Sequence, residues 1–128
     1  MLVTLSYVSR ARGAVDDMVL RDIVAVSESR NTGADVTGAL YFDGELFFQV
    51  LEGPESSVRD IFESIKRDPR HEGVKLLKIE DLPRRRFAGW RMKYTPKAAL
   101  PPEGPRVIRH ALRRPTGAAI DAAIEALR

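Results

Sequence analysis

Several segments in the first three quarters of the chain carry apolar residues in the pattern of β-strands. In the first such segment Val3, Leu5 and Tyr7 recur at every second position, so their side chains share one face of a strand. The later segments are short runs rich in apolar and aromatic residues and bounded by turn residues. The pattern predicts five strands, which cover Val3–Ser9, Val36–Phe42, Glu45–Glu52, Val74–Glu80 and Trp90–Tyr94.

Two segments between these strands carry apolar residues at helical spacing instead. The first helix is predicted to begin after Asp16 and Asp17, which can cap it, and to end in left-handed geometry at Asn31–Gly33. The second is predicted to start at Pro54, where no N–H is needed, and to end at Asp68, which precedes a proline. The inner faces of the two helices consist of Leu20, Ile23, Val24 and Ser27, and of Val58, Ile61, Phe62 and Ile65.

The order of these elements is β-α-β-β-α-β-β. An Asp43-Gly44 pair between the second and third strands is a strong hairpin signal, because both residues tolerate positive φ. The order predicts an α+β, ferredoxin-like fold: a mixed five-stranded sheet with two helices on one face.

The C-terminal quarter of the chain differs in composition. Four prolines between residues 96 and 105 indicate a stiff connector, so we divide the chain into a domain of residues 1–95 and an extension of residues 96–128. Two short helices are expected in the extension, over Arg106–Arg113 and Gly117–Arg128. The second of these helices has an apolar stripe that could pack on the open face of the sheet or on another chain. The stripe consists of Ile120, Ile124 and Leu127.

Charge and cysteine content limit the classes of function that the chain can have. The chain has 21 basic and 18 acidic residues, a net charge of +3, and this mixture is typical of a solvated surface rather than of a nucleic-acid-binding one. The basic run Arg84–Arg86 is short, and it leaves open a contact with a phosphate or an acidic partner. There is no cysteine, no metal-ligand spacing, no signal-peptide pattern and no apolar run of membrane-spanning length. We expect a soluble cytoplasmic protein without a metal.

Two polar side chains fall on otherwise apolar strand faces. Gln49 lies between Phe47 and Leu51, and Tyr7 shares a face with the apolar residues of the first strand. Burying either group without a partner costs about 1–3 kcal/mol, so each needs a hydrogen bond. They could simply bond each other or the backbone as a structural pair.

The predicted fold gathers several of these residues around a slot between the two helices. Tyr7 and Gln49 would form its floor, and Ile23 and Ile65 would form its walls. A planar aromatic ligand suits such a slot better than a metal or a polar substrate does. The rim would consist of Asn31, Arg70 and His71.

Five short motifs follow one another along residues 1–95. They are Tyr7-Val8-Ser9; Asn31 with Val36-Thr37-Gly38-Ala39-Leu40; Phe47-Phe48-Gln49-Val50-Leu51-Glu52-Gly53; Asp68-Pro69-Arg70-His71; and Arg85 with Phe87, Trp90 and Met92. No single motif is specific, but the set in this order resembles the BLUF family, the sensors of blue light using FAD. The resemblance implies a non-covalently bound flavin, FAD in the usual case and FMN as the alternative.

The resemblance also implies residue roles. Tyr7 would give an electron and a proton to the excited flavin, and Gln49 would bridge Tyr7 and the N5/O4 edge of the ring. Trp90 and Met92 would lie near Gln49 and exchange position during signalling, and the sequence leaves open which of the two points inwards. The implied flavin contacts are Tyr7, Ile23, Arg30, Asn31, Gln49, Ile65, Asp68, Arg70 and His71, of which Arg30 has no assigned role.

A photoreceptor of this kind is not an enzyme and signals by changing protein contacts. We expect a downstream protein partner, a homo-oligomer, and a last strand that passes the change to the C-terminal helices. One alternative is a ferredoxin-like small-molecule-binding or flavin-dependent redox protein without photosensing, and another is a cofactor-free interaction module. The two histidines, His71 and His110, are far apart in sequence and form no recognisable catalytic triad.

Overall fold

A five-stranded β-sheet forms the middle layer of the protein, and helices pack on both of its faces. The computed structural model describes residues 2–128. In chain order the elements are β1 (Leu2–Ala11), α1 (Asp17–Ala34), β2 (Thr37–Phe42), β3 (Leu46–Pro54), α2 (Glu55–Arg67), β4 (His71–Asp81), β5 (Lys93–Tyr94), a 3₁₀ turn (Lys97–Ala99), α3 (Gly104–Arg113) and α4 (Gly117–Ala126).

The strands lie side by side in the order β4-β1-β3-β2-β5. Neighbouring strands are antiparallel except β2 and β5, which are parallel. The predicted ferredoxin-like order and the mixed five-stranded sheet are therefore confirmed. Within residues 2–128, no helix combines the length and the apolar character needed to cross a bilayer.

The ends of α1 follow from two aspartates. Asp16 accepts a hydrogen bond from the Val19 N–H at 2.9 Å and caps the helix, as predicted. The predicted end at Asn31–Gly33 is wrong, because α1 continues to Ala34. The left-handed residue is Asp35, with φ 57°, and aspartate is one of the few non-glycine residues that tolerate this geometry.

The ends of α2 lie close to their predicted positions. Pro54 immediately precedes the first helical residue, Glu55, rather than being that residue. At the other end Asp68 is extended, with φ −74° and ψ 122°, as the proline that follows it requires.

The last strand is shorter than predicted. Only Lys93–Tyr94 pairs with β2, so the expected strand Trp90–Tyr94 lacks its first three residues. The Trp90 N–H bonds the Phe87 carbonyl at 3.0 Å, and Gly89 has a φ of 87°. The chain therefore turns at this point before it can join the sheet.

The sheet separates two hydrophobic cores. One lies between the sheet and α1 with α2, and the other lies between the sheet and α3 with α4. The apolar stripe of α4 packs on the open face of its own sheet, which was one of the two expected arrangements. The second core consists of Ala39, Tyr41, Phe48, Val50, Phe87, Leu100, Ile108, Ala111, Ile120, Ala123, Ile124 and Leu127.

We expect truncation of Ile124, which is 1% exposed, to destabilise the whole fold. Ile124→Ala should lower the free energy of unfolding by about 2–5 kcal/mol, because it leaves a cavity under the sheet. Urea denaturation measures this change. The matched control is Ala122→Ser on the exposed side of α4, which should cost less than about 1 kcal/mol. Equal effects of the two substitutions would show that α4 does not bury this face.

Candidate functional site

A narrow cleft lies between α1 and α2, above the central strands β1 and β3. Eight of the nine residues that the family resemblance implied as flavin contacts line it, and the ninth, Asn31, follows the lining residue Arg30 in α1. The structure therefore brings these residues together around one cleft. The lining residues are Tyr7, Ile23, Val26, Ser27, Arg30, Leu40, Gln49, Ile65, Asp68, Arg70 and His71.

Tyr7 and Gln49 form a hydrogen-bonded pair at the floor of the cleft. They face each other in the register of β1 and β3 and are 0% and 2% exposed. The Tyr7 hydroxyl donates to Oε1 of Gln49. The other end of the amide, Nε2, donates to the sulfur of Met92 at 3.5 Å. Gln49 thus joins β1 to the segment that enters β5.

Trp90 lies outside this cluster. Its side chain is 51% exposed, whereas Met92 is buried. The Lys93 ammonium group lies 5.6 Å from the centre of the Trp90 ring. Of the two residues that the family resemblance implies exchange position, Met92 is therefore the one that faces Gln49 in this structure, and Trp90 faces outwards.

Burial controls the protonation of Tyr7. Desolvation raises its pKa well above the ordinary value of 10, and the nearby positive charge of Arg30 offsets only part of the rise. Tyr7 is therefore a neutral phenol at physiological pH. The ring of Phe62 packs against it with the ring centres 5.6 Å apart. The hydroxyl thus keeps its proton and directs it at the Gln49 carbonyl.

Aliphatic side chains form the walls. Ile23 in α1 is 4% exposed and Ile65 in α2 is 2% exposed. Ser27, one turn after Ile23, donates its hydroxyl to the Ile23 carbonyl at 2.8 Å. Since that bond satisfies the hydroxyl within the helix, the α1 wall is largely apolar. Such walls suit the faces of a flat ring.

Asn31 is fully buried near the C-terminal end of α1. Its Nδ2 donates to the Arg91 carbonyl at 2.6 Å, which ties α1 to the segment before β5. Its Oδ1 has no hydrogen-bond partner among residues 2–128. A buried acceptor without a partner costs about 1–3 kcal/mol, so a ligand N–H would be stabilised there.

Three charged residues surround one end of the cleft. The Asp68 carboxylate lies 2.7 Å from Nη2 of Arg70. Hydrogen bonds from Arg70 lower the pKa of Asp68, and the same bonds raise the pKa of Arg70. Burial lowers the pKa of Arg30, whose Nε is buried without a partner among residues 2–128. Among the lining residues two guanidinium groups face one carboxylate, which favours an anionic ligand at this end; the Asp22 carboxylate also acts on Arg70 from outside the cleft lining.

His71 is buried beside this charged group. Its Nδ1 lies 2.8 Å from the Ser9 hydroxyl, and its ring packs against Phe47 with centres 4.8 Å apart. Burial lowers its pKa below the ordinary value, although the Asp68 carboxylate acts in the opposite direction. His71 is therefore neutral near pH 7.

Three lining residues were not assigned to the site from the sequence: Ser27, Leu40 and Val26, of which Val26 is 46% exposed. Ser27 follows Ile23 by four positions, so helical spacing alone puts the two on one face. Leu40 is the cross-strand partner of Gln49 in the β2–β3 hairpin. Ser27 was already on the predicted inner face of α1, and Leu40 could have been found from the register of the Asp43-Gly44 hairpin.

Glu52 is a buried carboxylate that the sequence analysis left without a role. It is 0% exposed and accepts the backbone N–H groups of Arg86 and Phe87 at 2.8 and 2.9 Å. Arg85 donates to the Glu52 carbonyl at 3.1 Å. Part of the basic run Arg84–Arg86 therefore holds its own loop against β3. Because Met92 follows this loop, Glu52 helps to position it against Gln49.

The environment of His71 predicts a pH dependence of stability. Since its folded pKa lies below the ordinary value of 6.5, the unfolded chain binds the proton more tightly. The stability that neutral His71 contributes to the fold is fully present above pH 6.5. It is lost as the pH falls through the lowered folded pKa, by at most about 1.4 kcal/mol per pH unit. Urea denaturation between neutral and mildly acidic pH should show a flatter dependence for His71→Gln than for the wild type.

The control for this measurement is His110→Gln, which replaces the exposed histidine of α3. It should keep the pH dependence of the wild type. The assignment to His71 would be wrong if both variants had the same pH profile.

Sequence comparison matches the same region of the chain. The family model BLUF, sensors of blue-light using FAD, matches residues 2–93. The blue light- and temperature-regulated antirepressor BluF of Escherichia coli (strain K12) is 42% identical over 87 residues, 68% of this chain and 22% of that protein. The photoactivated adenylate cyclase subunit alpha of Euglena gracilis is 36% identical over 73 residues, 57% of this chain and 7% of that protein. The chain thus spans less than a quarter of either relative.

Two solved structures match nearly the whole chain. The dark-state structure of BlrB, a BLUF protein, aligns with a TM-score of 0.84 and 33% identity, covering 98% of this chain and 95% of that one. The photo-activated state of BlsA aligns with a TM-score of 0.85 and 26% identity, covering 99% and 94%. The cleft and its Tyr7–Gln49 pair lie within the region that the family model matches. The chain belongs to the BLUF family, the sensors of blue light using FAD.

Proposed function

We propose that the cleft between α1 and α2 holds a flavin ring without a covalent bond, and that blue light rearranges the hydrogen bonds of Tyr7, Gln49 and Met92 at its floor. The family senses blue light using FAD. The observation that carries the proposal for these residues is the buried Tyr7–Gln49 pair, which lies between two aliphatic walls.

The cleft suits a flat ring with a polar edge. The cleft is nearly closed: only about 10 Å³ of it could hold a water molecule, far below the roughly 300–1,000 Å³ typical of ligand sites, so a ring enters only if α1 and α2 move apart. Asn31 Oδ1 and Arg30 Nε are a buried acceptor and a buried donor without partners. The carbonyl and N–H groups at the edge of a flavin ring supply the complementary hydrogen bonds.

The charged end of the cleft supports FAD rather than riboflavin. Arg30 and Arg70 bring two positive charges and Asp68 brings one negative charge. Phosphate groups of the cofactor would balance this excess, and arginine binds phosphate oxygens well because its donors are planar and paired. Neutral His71 lies beside them and offers a hydrogen bond without adding charge.

The floor residues provide a reversible switch. A bound flavin absorbs blue light and is a strong oxidant once excited. Tyr7 supplies a phenol whose proton already points at Gln49, which a phenylalanine could not do. The Gln49 amide has a donor end and an acceptor end, so turning or tautomerising it reverses the hydrogen bonds it makes.

Met92 links this switch to the rest of the chain. A thioether sulfur is a weak acceptor, so the Gln49–Met92 bond is weaker than the bond from Tyr7. If the amide turns, its oxygen faces the sulfur and no hydrogen bond remains there. Met92 is then free to move, and the loop before β5 moves with it.

The C-terminal helices are well placed to receive this movement. Phe87, in the same loop, belongs to the core under α3 and α4. Nη2 of Arg86 lies 3.8 Å from the Asp121 carboxylate of α4, and Lys78 in β4 lies 3.1 Å from it. A shift of the loop would therefore act on α4 directly, and we propose that the output is a changed protein contact rather than catalytic turnover.

A flavin-dependent redox enzyme on this fold would need access for a second substrate. The residues of its floor and walls are at most 4% exposed, so a second substrate does not reach them in this closed cleft: Tyr7, Ile23, Gln49 and Ile65. This tight burial supports photosensing over substrate oxidation.

We expect the purified protein to show a flavin absorption band that shifts to the red by roughly 10 nm under blue light and returns in the dark. A shift of that size corresponds to about 1 kcal/mol, the scale of one altered hydrogen bond. Tyr7→Phe and Gln49→Leu should bind flavin and lose the shift, because each removes one partner of the switch.

Ser29→Ala, on the exposed surface of α1, is the control and should keep the shift. A wild-type protein that binds flavin without a reversible shift would contradict photosensing. A protein that never binds flavin would contradict the cofactor assignment as well.

The charged end of the cleft predicts an order of cofactor affinity. Refolded protein titrated with each compound by fluorescence should bind FAD and FMN more tightly than riboflavin. Arg70→Gln should weaken FAD binding about tenfold or more and leave riboflavin unchanged, since a charge-assisted hydrogen bond is worth about 1.5–3 kcal/mol. Arg67→Gln, an exposed arginine nearby in α2, is the matched control. Equal weakening for FAD and riboflavin would show that Arg70 does not contact phosphate.

A further inference from the structure

The net charge of the chain is concentrated at its C-terminal end. Residues 1–95 contain fifteen basic and fifteen acidic residues, whereas residues 96–128 contain six basic and three acidic ones. The whole net charge of +3 therefore belongs to the extension. Between residues 97 and 114 there are five basic residues, and Glu103 is the single acidic one. The charges are thus less evenly mixed than the overall composition indicates.

Most of this charge lies on one exposed side of α3. Arg106, Arg109 and Arg113 follow one another at helical spacing and are exposed, as is His110. Among residues 2–128, none of these side chains lies within 4.0 Å of a carboxylate oxygen. They differ in this from Arg86, which pairs with α4.

An apolar groove runs beside this helix. Val8 in β1, Leu46 in β3 and Leu112 in α3 line it, and all three are half-buried. Arg10 and Lys75 line it on the side of the sheet, and Arg10 is paired with the Glu45 carboxylate. Glu72 is its single acidic lining residue, and its carboxylate lies 3.8 Å from Arg12. The groove therefore has an apolar floor with Lys75 on the side of the sheet, and the exposed Arg109 lies one helical turn from its lining residue Leu112 in α3.

We propose that this groove binds an acidic, amphipathic segment of a partner protein. The apolar face of such a segment covers Val8, Leu46 and Leu112, and its carboxylates face the arginines of α3. A nucleic acid would use the positive charge but would gain little from the apolar floor, and α3 carries no Phe, Tyr or Trp side chain for stacking. The combination of floor and charge favours a protein segment.

The groove lies behind the cleft, on the other face of the sheet. Val8 follows Tyr7 in β1, and successive strand residues point to opposite faces. Ser9, next in the chain, is bonded to His71. Binding of the acidic segment to the groove does not require a bound flavin. Only a dependence of that binding on light would rest on the proposed function.

The test is a fluorescence-polarisation titration of the full chain in the dark with three labelled probes. They are a helical peptide of about 15 residues with leucines on one face and glutamates on the other, a polyglutamate of equal length, and a DNA duplex of similar charge. The variants are Arg109→Glu/Arg113→Glu for the charge and Leu112→Ser for the floor. The control is Arg67→Glu/Arg84→Glu, which reverses the same number of exposed charges elsewhere.

The proposal expects the leucine–glutamate peptide to bind more tightly than either other probe. Arg109→Glu/Arg113→Glu should weaken its binding at least about tenfold, Leu112→Ser about threefold or more, and the control less than about twofold. Absence of peptide binding overturns the proposal, and so does equal weakening by the two double variants. Tighter DNA binding that is insensitive to Leu112→Ser assigns the surface to nucleic acid instead.

Two measurements on the same samples separate other outcomes. A dimer in solution that Arg109→Glu/Arg113→Glu dissociates would show that a second copy covers the groove, which also overturns the proposal. The light-induced absorption shift, recorded in parallel, reports photosensing alone. Failure of the groove and failure of the sensor are thus distinguishable.

Discussion

The central strand β3 is buried on both faces, and this burial decides what its polar side chains must do. Gln49 faces the cleft between α1 and α2, and Glu52 faces the core under α3 and α4. Neither side chain can reach water, so each must find its partners inside the protein. The amide binds Tyr7 and Met92, and the carboxylate binds the backbone of the loop before β5. One strand therefore holds both the candidate site and the segment that leads away from it.

The elements and most of the cleft could be predicted because local patterns determine them. Alternation places Tyr7 on the inner face of β1, and helical spacing places Ile23 and Ile65 on the inner faces of α1 and α2. The pairing of Tyr7 with Gln49 is a long-range fact that no local pattern contains. It became predictable only through the order of elements and the family resemblance, which together imply the register.

The predictions that failed concern contacts between distant parts of the chain. Trp90 has the local character of a strand residue, yet the loop before it turns away from the sheet. Glu52 holds this loop through the N–H groups of Arg86 and Phe87, which follow it by 34 and 35 residues. Asn31 is a good local helix terminator, yet its amide is bonded inside the protein to the Arg91 carbonyl and α1 continues past it. In both cases a buried polar contact prevailed over local preference.

The pleat of β3 makes its register more consequential than that of an ordinary surface strand. Because neighbouring residues point to opposite faces, a slip of one position would exchange the contents of the two cores. The Gln49 amide would then face the core under α3 and α4, and the Glu52 carboxylate would face the core under α1 and α2. The turn at Asp43 opposes such a slip, since its Oδ1 accepts the N–H groups of Glu45 and Leu46 at 2.8 and 2.7 Å. An exposed turn at the edge of the molecule thus decides on which side of the sheet the amide of Gln49 is found.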